Sequence, residues 1–412
     1  MGSVPYHPIY LFGRVQGGGT PKADAKNWNG SLPFITPTEL AGLDGAAVSA
    51  SERTVTEIGA TQSSVIEAGV LVSCRAPIGS IGTTTTKVTF NQGCKGISIP
   101  DPVQAKYVAY ALIAARPELE NRGNGTTFSE ISSNSLGQVR IPAPPLPTQR
   151  AIADYLDRET AEIDRMRADL DEIERLLEER KQTTVTESFA DLEGDTNGRK
   201  ASLNSVAELI SSNVDKKSRE GEKPVRLVNY TDVYYGDTLT ADEPYMEATA
   251  TAEQIQRVGV KDGDIIFTKD SETADDIGIP ALISKPDPDM VCGYHLTIAR
   301  PRSSRVYPRF LYWAFMSGQT KSYWEQSANG VTRYSIGYTA TARLRFPLPP
   351  LAEQRRIADD IDRETAEIDS MLEDITKLRD LLAERRAAVI SAAVTGQIDI
   401  PVSPTSKDEA HA

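Results

Sequence analysis

Histidine, cysteine and long apolar runs are all scarce in this sequence, and each scarcity closes off a class of function. The 412 residues include three histidines, His7, His295 and His411, too few for a His-based metal site. The three cysteines, Cys74, Cys94 and Cys292, form no C-x-x-C pair. That excludes a disulfide scaffold and a Cys-rich zinc site, and it suits a reducing cytoplasm. Cys74 and Cys94 flank expected strands and read as small buried hydrophobes rather than nucleophiles. Apolar stretches are short: residues 108–115 form a run of eight, where a bilayer span needs about 20. The opening MGSVPYH has no basic segment ahead of an apolar one, so no signal peptide is expected, and Tyr6 does not suit a myristoylation site.

Catalytic motifs are missing too. There is no G-x-x-x-x-G-K-[ST] nucleotide loop, no [ND]-P-P-[YF] to hold a target adenine, no G-x-S-x-G and no H-E-x-x-H. Gly17-Gly18-Gly19-Thr20-Pro21 is Gly-rich but stands alone and reads as a turn. Glu179-Arg180-Lys181 has nuclease-like E-x-K spacing, yet it lies in a long charged helix. The chain therefore reads as a recognition or scaffolding protein, not an enzyme.

The charge is uneven. The formal total is −13, but residues 1–145 carry +1 and residues 200–345 carry −1, while 146–199 carry −7 and 346–412 carry −6. Residues 300–345 hold eight basic side chains and a single acid, Glu325. Two near-neutral regions thus alternate with two acidic ones that would repel a polyanion.

What is present is a duplication. LPTQRAIADYLDRETAEID (146–164) and LAEQRRIADDIDRETAEID (351–369) agree at 14 of 19 positions with an offset of 205. IPAPP (141–145) matches FPLPP (346–350), and Asn124-Gly125-Thr126-Thr127 matches Asn329-Gly330-Val331-Thr332, at the same offset. A period this long is a repeated domain, not a solenoid. Each repeat carries a heptad seam: Ile152, Leu156, Ile163, Met166, Leu170, Ile173 and Leu177, then Ile357, Ile361, Ile368, Met371, Ile375, Leu378, Leu382 and Val389. A polar skip falls at Glu159 and again at Glu364. Prolines mark both starts, and Gly194 and Gly396 follow the ends, predicting helices of about 40 residues and about 60 Å. Ile163, Met166, Ile368 and Met371 are expected in the core of their pairing. Residues 69–73, 84–90 and 96–99 read as strands and 107–121 as a helix; in the second repeat 264–268, 281–284 and 294–299 read as strands and 308–327 as a helix.

The expected fold is therefore α+β: two similar domains of mixed strands and helices, each followed by a long helix, the two helices pairing as an antiparallel coiled coil within an internal repeat. The expected boundaries are 1–145 and 194–345 for the domains, 146–193 and 346–395 for the helices, and 396–412 for a tail.

Several short segments resemble the specificity (S) subunit of type I restriction–modification systems. They are Leu348-Pro349-Pro350-Leu351 followed by Glu353-Gln354-Arg355-Arg356-Ile357-Ala358, and Pro144-Pro145-Leu146-Pro147-Thr148-Gln149-Arg150. To these add Gly18-Gly19-Thr20-Pro21 with Trp28-Asn29-Gly30, Asn91-Gln92-Gly93-Cys94-Lys95-Gly96-Ile97, and Thr395-Gly396-Gln397-Ile398-Asp399. The likeness covers nearly the whole chain in the same order; Pro147-Thr148 departs from the family's usual Glu ahead of Gln-Arg. It implies two target-recognition domains reading the halves of a bipartite, asymmetric sequence in double-stranded DNA, with the helices as ruler. It also implies two modification (methyltransferase) subunits docked on helices and domains, with restriction subunits joining through them. This chain would be non-catalytic and bind no cofactor. S-adenosylmethionine, ATP and Mg would serve adenine methylation and ATP-dependent site-specific DNA cleavage on the partner subunits. A cytoplasmic location is implied.

Candidate DNA-contacting residues in the first domain are Thr20, Lys22, Arg75, Lys95, Arg122, Asn124, Thr126 and Thr127; in the second they are Lys216, Lys217, Lys269, His295, Asn329, Thr332, Arg333 and Tyr334. They lie on polar or Gly-rich loops or beside strand ends, where cations position phosphates and Arg or Asn reads guanine or adenine edges. Gln149, Arg150, Gln354 and Arg355 at the helix starts either touch the modification subunit or cap the helices. A coiled-coil adaptor that binds protein and no DNA is the competing function, and the total charge is its support.

Overall fold

The β-branched runs form strands buried on both faces. In Gly69–Ser73 (GVLVS), Ile81–Thr84 and Val88–Phe90 every residue is buried, the reason they read as continuous apolar runs rather than alternating ones. The computed structural model describes residues 4–75, 77–123, 130–195 and 200–401. It divides into one unit of Met1–Leu170 with Thr376–Ala412 and a second of Asp171–Ile375, so each unit holds one domain and part of both long helices.

In the first unit one sheet has the order Arg14–Gly17, Cys94–Ser98, Gly69–Ser73, Ile81–Thr84, all antiparallel. A second sheet runs Thr54–Val55, Trp28–Ile35, Val88–Phe90, Ser64–Ile66, its central pair parallel with Ile35 opposite Phe90. In the second unit Ala207–Ser211, Leu296–Pro301, Ile265–Thr268 and Pro280–Ile283 repeat the first order, with Thr238–Leu239 added at the edge. Met246–Ala250, Lys223–Val228 and Met290–Cys292 repeat the second, again with a parallel pair. The two domains thus share a topology although their sequences diverge. A two-stranded ribbon closes each domain: Tyr6–Pro8 pairs with Arg140–Pro142, and Lys200–Ser202 with Arg345–Pro347.

Three expected elements are divided. Residues 84–90 are not one strand: a turn in which the Thr86 amide donates to Thr84 Oγ1 (3.2 Å) separates Ile81–Thr84 from Val88–Phe90, which join different sheets. The helix expected over 107–121 is two, Pro102–Ala114 and Arg116–Gly123, because Pro117 has no amide to continue the first. Residues 308–327 likewise split into Pro308–Met316 and Gly318–Ser327, with Ser317 capping the latter.

The long helices, Leu146–Asp195 and Leu351–Val394, have 50 and 44 residues, about 75 and 66 Å. The first runs past Gly194, longer than expected. Within each unit they pair antiparallel. In the first, Ile152 and Leu156 share a core with Ile390 and Val394, and Arg386 Nη1 meets Asp164 Oδ1 at 2.7 Å. In the second, Val185 and Phe189 share a core with Ile357 and Ile361, and Lys181 Nζ meets Asp369 Oδ1 at 2.7 Å. The two ion pairs are one contact, each member displaced by 205 residues.

The seam is filled where a polar skip is expected. Thr160 and Thr365, each following the skipped glutamate, are buried, and their hydroxyls donate back to Leu156 O (2.7 Å) and Ile361 O (2.8 Å). Ile163 and Ile368 are buried as expected and Met166 is half-buried, but Met371 is exposed. The domains also grip the helices alike. Asp157 accepts from Tyr110 Oη (2.9 Å) and pairs with Lys106. Asp362, its counterpart, accepts from Trp313 Nε1 and Arg309 Nε, both at 2.7 Å. No helix among the described residues is long and apolar enough to cross a membrane.

Candidate nucleic-acid interface

In the second domain the candidate residues converge. The central strand Ile265–Thr268 runs into Lys269, whose amide donates to His295 O (3.1 Å) and whose Nζ donates to Ser212 O (3.3 Å). Lys216, Lys217 and Lys269 line an open cleft of about 570 Å³ with Ser212, Asn213 and Tyr294. Next along the chain, Asp270–Ser271 pairs with Tyr334–Ser335. Asn329 and Ser335 exchange backbone hydrogen bonds at 3.0 Å each and so close a loop that carries Thr332 and Arg333. Gly330 at its turn has φ +154, and a Cβ there would lie 2.0 Å from Arg333 O, so only glycine fits. Val331 at the tip is 95% exposed. Asp270 joins two further candidates, accepting from His295 Nδ1 at 2.9 Å and from Arg333 Nη2 at 2.8 Å. All eight second-domain candidates therefore lie on the cleft, the Asp270 cluster or the adjoining loop.

The first-domain candidates separate into three groups. Arg75 and Lys95 meet on Glu130: Arg75 Nε and Nη2 reach Oε2 at 3.0 and 2.9 Å, and Lys95 Nζ reaches Oε1 at 3.1 Å. Partial burial raises the Glu130 carboxyl, but Lys95 and Arg75 outweigh it and hold the group below its usual range. Thr20 and Lys22 lie on a separate loop. Thr20 Oγ1 bonds Gln92 Oε1, and the Lys22 amide donates to Gln62 Oε1 at 3.2 Å while its carbonyl accepts from Trp28 Nε1 at 3.0 Å. Arg122 turns back on its own helix to Glu118 (2.6 Å). Asn124, Thr126 and Thr127 lie outside the described residues.

The helix starts divide by burial. Gln149 and Gln354 are interior, and their Nε2 atoms donate to Pro144 O and Pro349 O at 2.8 Å each. Gln354 Oε1 also accepts from the Tyr307 amide at 2.8 Å, bracing the start of helix Pro308–Met316. Arg150 binds Asp101, the N-cap of helix Pro102–Ala114, at 3.2 Å, and Arg355 lies over the Tyr307 ring at 5.1 Å. These contacts give the two glutamines a bracing role inside their own chain.

Two groups here are not among the candidate residues. Glu130 joins Arg75 and Lys95, and Asp270 joins His295 and Arg333. Arg53 is exposed, its Cζ lies 3.8 Å from the Trp28 ring centroid, and no carboxylate among the described residues pairs with it. Nothing in the sequence joins position 53 to Trp28. The cysteines carry no chemistry: all three are buried, and burial pushes their thiols up, away from the reactive thiolate.

Against known proteins, the model of the type I restriction modification DNA specificity domain matches residues 12–175 and 200–378. The MjaIX specificity subunit of Methanocaldococcus jannaschii is 33% identical over 150 residues, 35% of this chain and 35% of that one. The matched stretch thus spans about a third of that relative. The StySPI specificity subunit of Salmonella potsdam is 19% identical over 322 residues, 75% of this chain and 69% of its own. A solved structure described as the basis of complex assembly and conformational transition of the type I R-M system aligns with TM-score 0.67 at 15% identity, over 97% of this chain and 99% of that one. The HsdS subunit from Thermoanaerobacter tengcongensis aligns at 0.55 and 16%, over 96% and 98%. The duplicated domain, the repeated helix contacts and these matches agree: the chain belongs to the family of type I restriction–modification DNA specificity proteins.

Proposed function

We propose that this chain is the DNA sequence-specificity subunit of a type I restriction–modification complex and is itself non-catalytic. Each domain reads one half of a bipartite, asymmetric target in double-stranded DNA, and the helix pair holds the half-sites apart. One observation carries the reading: two domains of one topology present basic clusters at corresponding loops, but build them from different side chains. Shared topology with divergent loops is what two readers of two different half-sites need. The acidic helices repel phosphate and leave DNA to the domains.

The complex takes two methyltransferase subunits on the helices and domains. They carry S-adenosylmethionine, and any restriction subunits add ATP, Mg and DNA cleavage. The assembly works in the cytoplasm. The test is modified-base sequencing of genomic DNA from cells with and without this gene. Methyladenine lost at one split, asymmetric motif supports the reading. If no motif is lost, salt-dependent binding of duplex DNA by the chain co-purified with its methyltransferase decides. A DNA reader loses affinity steeply with salt; a protein adaptor shows no binding.

A further inference from the structure

At one topological position each domain holds a carboxylate between two basic side chains. In both, the residue two beyond the central strand bridges to the segment ahead of a short helix: Arg75 opposite Glu130, and Asp270 opposite Ser335. The flanking hydrogen bonds correspond, Ile131 N to Cys74 O (3.0 Å) and Ile336 N to Lys269 O (2.9 Å). The acid, however, changes sides. It is Glu130 on the later segment in the first domain, and Asp270 on the earlier one in the second.

In both, an arginine is the most exposed of the three side chains. The second bases, Lys95 and His295, are 8% and 18% exposed. The carboxylates Glu130 and Asp270 are 32% and 15% exposed, so Asp270 lies as deep as His295. An arginine forms the rim, Arg75 at 50% and Arg333 at 55%.

A carboxylate on a face that meets DNA repels phosphate and weakens binding unless it serves another end. Here its effect is on the rim arginine. Arg75 is engaged through Nε and Nη2, which leaves Nη1 and the second Nη2 hydrogen open. Arg333 donates one Nη2 hydrogen to Asp270; His295 Nδ1, 3.4 Å from the same nitrogen, gives its own hydrogen to Asp270, so the second Nη2 hydrogen stays open beside its neighbouring N–H. A guanidinium held this way has lost its freedom before it meets a ligand, and its open edge matches the O6 and N7 acceptors of guanine in the major groove.

We propose that Glu130 and Asp270 are positioning residues that aim Arg75 and Arg333 each at one guanine, one in each half of the target. The inference rests on the DNA-reading function proposed above. Because acid and arginine exchange segments between the domains, the two forks leave from opposite sides of the bridge. The same fold then reads two different half-sites.

The test uses the full complex with its methyltransferase subunits in a methylation-free host, read by modified-base sequencing. The wild type is expected to show a split motif with guanine in both halves. Asp270→Asn and Arg333→Lys should relax one guanine of one half by roughly tenfold to a hundredfold and leave the other half intact. Glu130→Gln and Arg75→Lys should do the same in the opposite half, and Asp270→Glu should restore discrimination. A motif lacking guanine in either half, or variants that lower methylation evenly at every position, overturns the positioning role while the DNA-reading function stands. A wild type without any split motif overturns both. For a variant that methylates nothing, binding by the purified complex to duplexes with each guanine replaced decides. Lost preference at one position supports the proposal, and retained preference overturns it.

Discussion

Gly18 shows how tightly single residues are held around the interface. Its amide donates to Cys94 O at 3.1 Å, and a Cβ at this position would lie 1.7 Å from the carbonyl oxygen of Asn91. Backbone faces backbone there, so no rotamer change relieves the overlap. Gly18→Ala should destabilise the first domain by about 1–3 kcal/mol, seen as a lower thermal midpoint. Asp362 holds two donors at once. Asp362→Ala strands Trp313 Nε1 and the Arg309 guanidinium and should cost about 1–3 kcal/mol by denaturant titration. The Glu130 clamp has a direction in pH. Its carboxyl is held below its ordinary value of 4.5, so the clamp's stabilisation is present above that pH and is lost as pH falls through the depressed value. Carboxyl-carbon NMR should show Glu130 more ionised at pH 4.5 than an ordinary glutamate, which is about half protonated there.

At the scale of elements, the helix seam is uneven. Ile163 is fully buried, whereas Met371, in the same heptad pattern, is exposed. Periodicity assigns both to one stripe, but the width of the buried stripe depends on how closely the two helices approach, which no single helix encodes. Ile163→Ala should cost about 2–5 kcal/mol and Met371→Ala within about 0.5, compared by thermal unfolding. The Lys181–Asp369 ion pair is solvated on the acid side and adds at most about 1 kcal/mol. Its repetition as Arg386–Asp164 fits a register device better than a source of stability. The strands divide in the same way. Gly69–Ser73 was legible because it is apolar throughout. Trp28–Ile35 was not, because it contains glycine and proline, is interrupted by a bulge and depends on a partner far along the chain.

For the whole molecule, exchanging residues 1–145 for those of a relative should change one half of the target; a change in both halves contradicts two independent readers. Inserting one heptad after Leu170 together with one after Ile375 should alter the half-site spacing in the sequenced motif. Unchanged spacing with full activity would mean the helices are not the ruler. By itself the sequence determined the duplication and the two long helices, since each is written in local periodicity or in repetition at an offset of 205 residues. The tertiary structure decided which charges meet. Arg75 and Glu130 are 55 residues apart, Asp270 and Arg333 are 63 apart, and only the pairing of strand end with later loop joins them. That pairing is set by sheet register and core packing, so the meeting of each acid with its arginine leaves no trace in spacing, charge count or motif.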